Sequence, residues 1–542
     1  MRGHGFMSNS NSNKFLKGAA ILGIAGVIVK LIGAVFRIPL TNWIGTDGMS
    51  YYGCAYPIYS LFLTVSTAGI PVAISKMVAE RVTVRNYGGA HKVFKVSLGL
   101  LSVLGVFSFL LCYLGADFIA GTIQNNPEAA SSIRAISPAL LFVPILSAFR
   151  GYFQGRQNMN PTAVSELTEQ SVRAAVGLTL AYSFLAVGLP EAAAGATFGA
   201  SAGSFASMVV IALIYVLNRK TIHTKNRRGD NNLEETGEIL KIILMIAIPI
   251  TLGASIMPIM NAIDSTVVMG RLEATGWTHD EAKNLFGQLS GYCASLIGLP
   301  QIFTQAIAVS LVPAISAAWL RQDRGELQEN VKLSLRATMI VGFPCAVGIF
   351  ALAEPILLLL FSSRPAEAAA AAPTLMVMAI SVVFLASVQT LTGALQGVGK
   401  QSVPVWNLAV GAVFKFAATW ICVGIPAINV KGAPIGTIIA YVIAMVLDLH
   451  AVKKYTGTHF DMKATYIIPA AASVLMGIGA FASYRLLFMI TGSNGVSTLL
   501  SIGIAVVVYG ALILLMKGIT KDEISKLPKG DKLVRLLGRF LR

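Results

Sequence analysis

The sequence predicts an all-α polytopic membrane protein of fourteen transmembrane helices, built as two six-helix lobes followed by two further helices. Three observations predict it. Hydrophobic residues make up 55% of the 542 residues and charged residues 12%, with a mean hydropathy of +0.71, whereas soluble domains carry about 25% charged residues. Apolar runs long enough to cross a hydrocarbon core of roughly 30 Å recur along the whole chain. The basic residues also alternate by loop: with the N-terminus in the cytoplasm, 32 of the 42 Lys and Arg fall on the cytoplasmic side and 7 on the outer side. That bias sets an N-in, C-in orientation. These features exclude a soluble multidomain enzyme, a disordered chain and a disulfide scaffold. They also turn the net charge of +17 into a topology signal, with no nucleic-acid partner. Cys54, Cys112, Cys293, Cys345 and Cys422 lie in apolar stretches without metal-ligand spacing, so they read as small core residues and no metal is expected.

Residues 1–17 are polar, with Arg2, Lys14 and Lys17, and form a cytoplasmic tail. The apolar run 18–38 is too long for a secretory core of roughly 7–15 residues, so it is a retained first span. Spans 51–75, 93–114, 132–153, 162–187 and 191–217 complete an N-lobe, 18–217. Residues 218–238 are a charged cytoplasmic linker. Spans 239–263, 285–317, 333–360, 370–395, 402–424 and 432–452 form a C-lobe, 239–454. Pro300 and Pro313 predict a kink or break in the second of these, and 264–284 is expected to be a solvated outer loop. Segment 455–517 carries the last spans, 465–489 and 496–516. In 518–542, Leu533, Leu536, Leu537, Phe540 and Leu541 interleave with Lys532, Arg535, Arg539 and Arg542, a basic amphipathic helix suited to an anionic leaflet.

The lobes read as a repeat. Arg150-Gly-Tyr-Phe-Gln-Gly155 aligns with Thr392-Gly-Ala-Leu-Gln-Gly397 at an offset of 242, and Pro71 with Pro313 and Arg173 with Lys415 share it. Six spans separate the copies, an even number, so both have the same topology and are related by an axis along the membrane normal.

Ionisable groups inside spans cost at least about 2.5–3.5 kcal/mol and mark cavities or partners. Lys30 lies in the middle of the first span and Arg37 seven residues later on the same face, with Gly26 and Gly33 leaving room beside them. The fifth span carries Glu166, Glu169 and Arg173 on one face, with Glu169 and Arg173 at i, i+4 spacing. Asp264 ends the seventh span and Glu354 interrupts the ninth. Two arrangements fit: Glu169–Arg173 as a locked pair with Lys30 and Lys415 snorkelling, or Lys30, Arg37, Arg173 and Lys415 around a central cationic cavity for an anionic group such as a diphosphate. The cavity arrangement is preferred.

The segment Phe149-Arg-Gly-Tyr-Phe-Gln-Gly-Arg-Gln-Asn-Met-Asn-Pro-Thr-Ala163, followed by Glu169-Gln170 and Arg173, resembles a signature of the polysaccharide-transport branch of the multidrug/oligosaccharidyl-lipid/polysaccharide (MOP) exporter superfamily. Gly69-Ile-Pro-Val-Ala-Ile-Ser75, Ile263-Asp264-Ser265, Leu299-Pro300 and Ser310-Leu-Val-Pro-Ala-Ile-Ser316 support it, over roughly residues 15–517. Within the branch the chain is similar to the stage V sporulation protein B and Gram-positive lipid II flippase group. Ser295 and Gly298 stand where the Gram-negative flippases carry an Arg and a Glu. The resemblance implies two six-helix bundles in a V, alternating access, a cationic cavity, and export of undecaprenyl-diphosphate-linked sugars across the bacterial cytoplasmic membrane. It implies a non-enzymatic transporter without a cofactor, acting as a monomer on a lipid-linked oligosaccharide diphosphate among membrane lipids. A coupling cation, H+ or Na+, would act at Glu166, Glu169 or Asp264, and the last two spans can form a groove for the lipid tail.

Two other functions fit the residues less well. A multidrug/cation antiporter of the same superfamily needs an acidic, aromatic pocket, and the span 1 and span 11 charges are basic. A membrane enzyme needs a catalytic loop. The outer stretch 264–284 offers Asp264, Glu273, His279, Asp280 and Glu281, but no nucleotide-loop or zinc-protease motif occurs in the chain.

Overall fold

The computed structural model describes residues 9–218 and 234–518, and among them there is no β-strand. The long helices are α1 (Asn9–Thr67), α2 (Ile70–Thr83), α3 (Tyr87–Leu114), α4 (Ala139–Gly155), α5 (Asn160–Phe184), α6 (Leu189–Leu217), α7 (Thr236–Glu273), α8 (Ala294–Leu320), α9 (Arg324–Ala351), α10 (Pro365–Gly397), α11 (Ser402–Val423), α12 (Gly432–Thr456), α13 (Ile468–Thr491) and α14 (Asn494–Leu515). Most of the linker 218–238 and residues 519–542 of the basic tail lie outside the described residues, as do the side chains of the N-terminal tail.

Twelve helical segments among the described residues are long and apolar enough to cross a membrane. Fourteen were expected, and the difference has two sources. Ile21–Thr83 counts once, although Gly45 (φ 63°) breaks α1 into two helices by adopting a conformation that L side chains avoid. Helix α5 has 25 residues, but Glu166, Glu169 and Arg173 lower its hydropathy. Outward-facing Val103, Phe107, Leu110, Leu499, Val506 and Val507 are exposed on the protein surface. Such a surface suits hydrocarbon, where only the backbone must be satisfied internally.

Contacts divide the chain into Met1–Gly270 and Arg271–Arg542. In the first unit, Ile70, Ile74 and Met77 of α2, Phe94 and Leu101 of α3, and Phe149 and Tyr152 of α4 form one core that Ile239, Ile243 and Ala247 of α7 complete. Helix α7 thus packs on the first unit although it was expected to open the C-lobe. Its far end is tied there too: Gln124 Nε2 donates to Ser265 Oγ (3.2 Å) and Ser50 Oγ to Met269 Sδ (3.8 Å). In the second unit α13 packs on α9 and α14 on the short helix Ala353–Leu360. Tyr509 Oη donates to Ile340 O (2.8 Å) and Asn494 Nδ2 to Pro355 O (3.2 Å).

Three sequence expectations are corrected. Asp264 does not end a helix: α7 continues to Glu273, because a helix satisfies its own backbone beyond the bilayer as well as within it. The outer loop 264–284 shrinks to a turn before the helix His279–Gly287, whose Thr278 and Glu281 make a reciprocal capping box. Helix α8 runs through both Pro300 and Pro313, and the irregularity falls earlier, in a π-helical stretch at Gln288–Cys293. Glu354, in contrast, does mark a helix end, in the first turn of Ala353–Leu360 after the break at Leu352, where a carboxylate complements the helix dipole.

The repeat persists in the packing, with one shift of register. A Cβ on Gly195 would meet Leu180 C at 2.9 Å and Ala181 N at 3.1 Å. A Cβ on Gly432 would meet Cys422 C at 2.7 Å and Val423 N at 2.4 Å. The contacted pairs on α5 and α11 are thus 242 apart, as Arg173 and Lys415 are. On the α2 and α8 side the offset is different. Gly151 approaches Pro71 O (2.8 Å) and Gly393 approaches Ala308 O (2.7 Å), so the packing counterpart of Pro71 is Ala308 and not Pro313. Backbone approach at small residues sets this register, and the similar proline motifs do not.

A buried carboxylate in the second unit gives a stability test. Asp448 on α12 is 0% exposed, its Oδ1 accepts from Asn407 Nδ2 of α11 (2.8 Å), and its Oδ2 has no hydrogen-bond partner among the described residues. Burying a carboxylate with one neutral donor is costly. Asp448→Asn is expected to raise the unfolding temperature in detergent, by about 2–4 °C per kcal/mol regained, whereas Asn407→Leu should lower it. A fall with Asp448→Asn would show that the carboxylate stabilises the helix pair.

Candidate functional site

The site begins with a tyrosine ladder. Beyond the Gly45 break, α1 carries Tyr52, Tyr56 and Tyr59 at i, i+4 and i+7, and helical geometry puts them on one face. Tyr52 and Tyr56 stack with centroids 5.9 Å apart and planes 7° from parallel, and Tyr56 and Tyr59 are 5.9 Å apart. Tyr52 and Tyr59 are 3% and 4% exposed, so the ladder is part of the protein interior.

Two guanidiniums use this ladder. Arg173 of α5 lies 4.9 Å from the Tyr56 ring centroid, with Nη1 at 3.4 Å from Tyr56 Oη and Nη2 at 3.4 Å from Tyr52 Oη. Arg37, from the first part of α1, lies 5.8 Å from the Tyr52 centroid. Both are half-buried. A cation over an aromatic face inside a membrane protein gains about 2 kcal/mol or more when desolvated, while keeping its formal charge. Glycines bring α5 to its partner: Cβ atoms on Gly199 and Gly203 of α6 would stand 2.5 Å from Arg173 O and 2.4 Å from Glu169 O.

Glu169 does not pair with Arg173. Its Oε2 accepts from Arg150 Nη2 of α4 at 2.9 Å, and both side chains are 16% exposed. Arg150 Nε also donates to Ser165 Oγ (2.9 Å), and Nη2 lies 3.4 Å from Ser207 Oγ of α6. The locked i, i+4 pair, the less favoured of the two arrangements read from sequence, is therefore replaced by a pair between helices. Glu166, one turn earlier on α5, is half-buried. Among the described residues no carboxylate is ion-paired with Arg173.

The other expected residues fall as follows. Lys30 is exposed, and no described atom lies within 4 Å of where a Cβ would stand on Gly23, Gly26 or Gly33, so this face of α1 is open. Lys415, on α11 in the second unit, is 2% exposed. It is enclosed by protein, and so it neither snorkels nor lines open space in this conformation. Asp264 is half-buried within α7.

The acidic residues of 264–284 have structural partners: Glu273 with His279 (2.7 Å), Asp280 with Lys283 (3.1 Å), and Glu281 with Thr278. Among the described residues no cluster of His, Cys, Asp or Glu could hold a metal.

The second unit contains an apolar cavity of about 780 Å³ lined by Phe343 and Val347 of α9, Phe384 of α10, Met445 of α12, and Ile478 and Phe481 of α13. Its wall suits hydrocarbon and offers almost no hydrogen bonds.

The tyrosines and Arg150 were not among the site residues named from sequence, where Arg150 entered only through the repeat and the signature motif. The i, i+4, i+7 tyrosine spacing was available as a signal, whereas the reach of Arg150 depends on how α4 packs.

The family description "Polysaccharide biosynthesis protein" matches residues 15–319, and the MatE family matches residues 290–421. The chain is 28% identical over 531 residues to the uncharacterized membrane protein YabM of Bacillus subtilis (strain 168), covering 96% of each. From the same organism, stage V sporulation protein B is 26% identical over 520 residues (96% of this chain, 99% of that one), and lipid II flippase MurJ is 28% identical over 526 (93% and 95%). Among solved structures, an inward-facing multidrug-resistance MATE family transporter of the MOP superfamily superposes with a TM-score of 0.67 at 17% identity, covering 81% of this chain and 98% of that one. With the first family spanning more than half of its length, the chain belongs to the polysaccharide biosynthesis proteins, the polysaccharide-transport branch of the MOP exporter superfamily.

Proposed function

We propose that the protein is a flippase for undecaprenyl-diphosphate-linked glycan precursors, lipid II foremost, in the bacterial cytoplasmic membrane. The observation that carries this reading is Arg173, held inside a membrane-spanning bundle by tyrosine hydroxyls and a ring while the neighbouring carboxylate is engaged by Arg150. A guanidinium with that environment takes a diphosphate by charge-assisted hydrogen bonds. Arg37 supplies a second cation on the same ladder and Lys30 a third on the open face of α1.

The glycan headgroup carries many hydroxyls whose desolvation blocks unaided crossing. A site open to one side of the membrane at a time carries it across without a leak. The polyprenyl tail occupies the apolar cavity of the second unit. Glu166 and Asp264 are the carboxylates on which a coupling cation would act, Glu169 being held by Arg150. The N- and C-termini are cytoplasmic, following the basic-residue bias. Capsule, teichoic-acid and spore-cortex precursors share the same anchor and are the alternative cargo.

Complementation is the test. In a bacterial host depleted of its own lipid II flippase, the inserted chain is expected to restore growth. Failure despite insertion would move the assignment to another lipid-linked glycan. The tail site has its own test in proteoliposomes. Ile478→Trp narrows the apolar cavity, and it is expected to slow flipping of a C55-linked substrate about tenfold while sparing a short-chain analogue. Equal slowing of both would remove the tail from this cavity.

A further inference from the structure

Glu169 has two cations within its range. Arg150 reaches it across the helix interface, with Nη2 at 2.9 Å from Oε2. Arg173 follows it by four residues on α5, and Glu at i with Arg at i+4 is the favourable order for an intrahelical pair. A change of side-chain rotamers is enough to exchange one partner for the other.

Arg150 is seated to hold the first arrangement. Its Nε donates to Ser165 Oγ at 2.9 Å, Ser165 Oγ donates to Thr162 O at 2.7 Å, and Ser207 Oγ donates to Ser165 O at 2.8 Å. These bonds link α4, α5 and α6 around the guanidinium. Arg173, by comparison, has only neutral partners among the described residues, at 3.4 Å from each of two hydroxyls. Long neutral contacts exchange readily for an anion. The same helix therefore carries the cation that an anion would bind and the carboxylate that would compete with it, and a neighbouring helix holds the two apart.

We propose that Glu169 is a two-position switch for the anion site. On Arg150 it leaves Arg173 cationic and receptive; on Arg173 it displaces the bound anion. Arg150 is the positioning residue that sets the balance. The identity of the anion, a lipid-linked diphosphate, rests on the flippase reading, but the exchange of partners does not. Release then comes from internal competition on α5, and no other group has to enter the site to neutralise Arg173.

The test uses the purified full chain in nanodiscs, with undecaprenyl diphosphate and inorganic pyrophosphate as probes. Arg150→Gln is expected to weaken binding about tenfold or more, because Glu169 turns to Arg173. Glu169→Gln should bind more tightly than the wild type, and the double variant as tightly as Glu169→Gln alone. A double variant as weak as Arg150→Gln would mean that Arg150 touches the anion or holds the fold, and would overturn the switch.

A second measurement needs no ligand. A double-mutant cycle on Glu169 and Arg173, read by thermal unfolding, should show little coupling with Arg150 present and clear coupling in the Arg150→Gln background. Coupling absent from both backgrounds overturns the switch whatever the substrate is. If the wild type binds neither probe, the flippase reading loses its substrate while the cycle still decides the switch.

Discussion

Arg173→Ala is expected to abolish complementation while leaving the protein inserted at wild-type level. The side chain contributes charge-assisted hydrogen bonds worth about 1.5–3 kcal/mol each, and a diphosphate held bidentately by one guanidinium uses two. Loss of both lowers affinity by about a hundredfold or more, enough to stop transport at cellular substrate levels. The stability cost is the cation–ring contact, about 2 kcal/mol, and the protein still inserts because the Tyr52–Tyr56 ring stack 5.9 Å apart does not depend on the guanidinium. Arg173→Lys separates charge from geometry. It keeps the cation but not the planar fork, so partial function is expected. Arg37→Ala and Lys30→Ala should each cost less than Arg173→Ala, since Arg37 touches one ring of the ladder and Lys30 lies outside it. Growth on Arg173→Ala equal to the wild type would remove the anion from this site.

The helices were legible because a bilayer imposes a length and an apolar surface on every span, and both are written in composition. What composition does not encode is where a helix stops once it leaves the bilayer. Segment 264–284 contains Arg271, Glu273 and Gly276 and reads as loop, yet α7 runs to Glu273 because its backbone bonds are internal in either solvent. The site divides in the same way. Arg173, Arg37 and Lys30 were visible because a charge in hydrocarbon is expensive. Their partners were not. The i, i+4 spacing of Glu169 and Arg173 suggested a local pair, and Arg150, nineteen residues upstream of Glu169, takes the carboxylate instead. Lys415 shows the same limit: its repeat position was readable, but its burial to 2% exposure belongs to tertiary packing, in which α12 is the main partner of α11.

Gly199→Leu and Gly436→Leu are expected to be strongly damaging although neither touches a charged side-chain group. A Cβ at Gly199 would stand 2.5 Å from Arg173 O and 2.7 Å from Gly177 Cα; at Gly436 it would stand 2.3 Å from Thr419 Oγ1 and 3.0 Å from Lys415 O. Against α5 the obstacle is backbone, which cannot rotate away. Lipid gives no hydrophobic force to press helices together, so close backbone approach at small residues is what holds α5 on α6 and α11 on α12. Leucine at either position must push the pair apart, at about 1–3 kcal/mol of overpacking and with loss of the contacts that approach permits. The displaced helix carries the cation of its unit, Arg173 in one and Lys415 in the other, so transport should fall together with stability. Gly503→Leu on α14 is the control, because no described atom lies within 4 Å of its Cβ position. Thermal unfolding in detergent should place the two interface variants several degrees below the wild type and the control beside it. Tolerance of Gly199→Leu as good as that of Gly503→Leu would mean that α5 and α6 pack by side chains, and the packing correspondence between Arg173 and Lys415 would lose its physical basis.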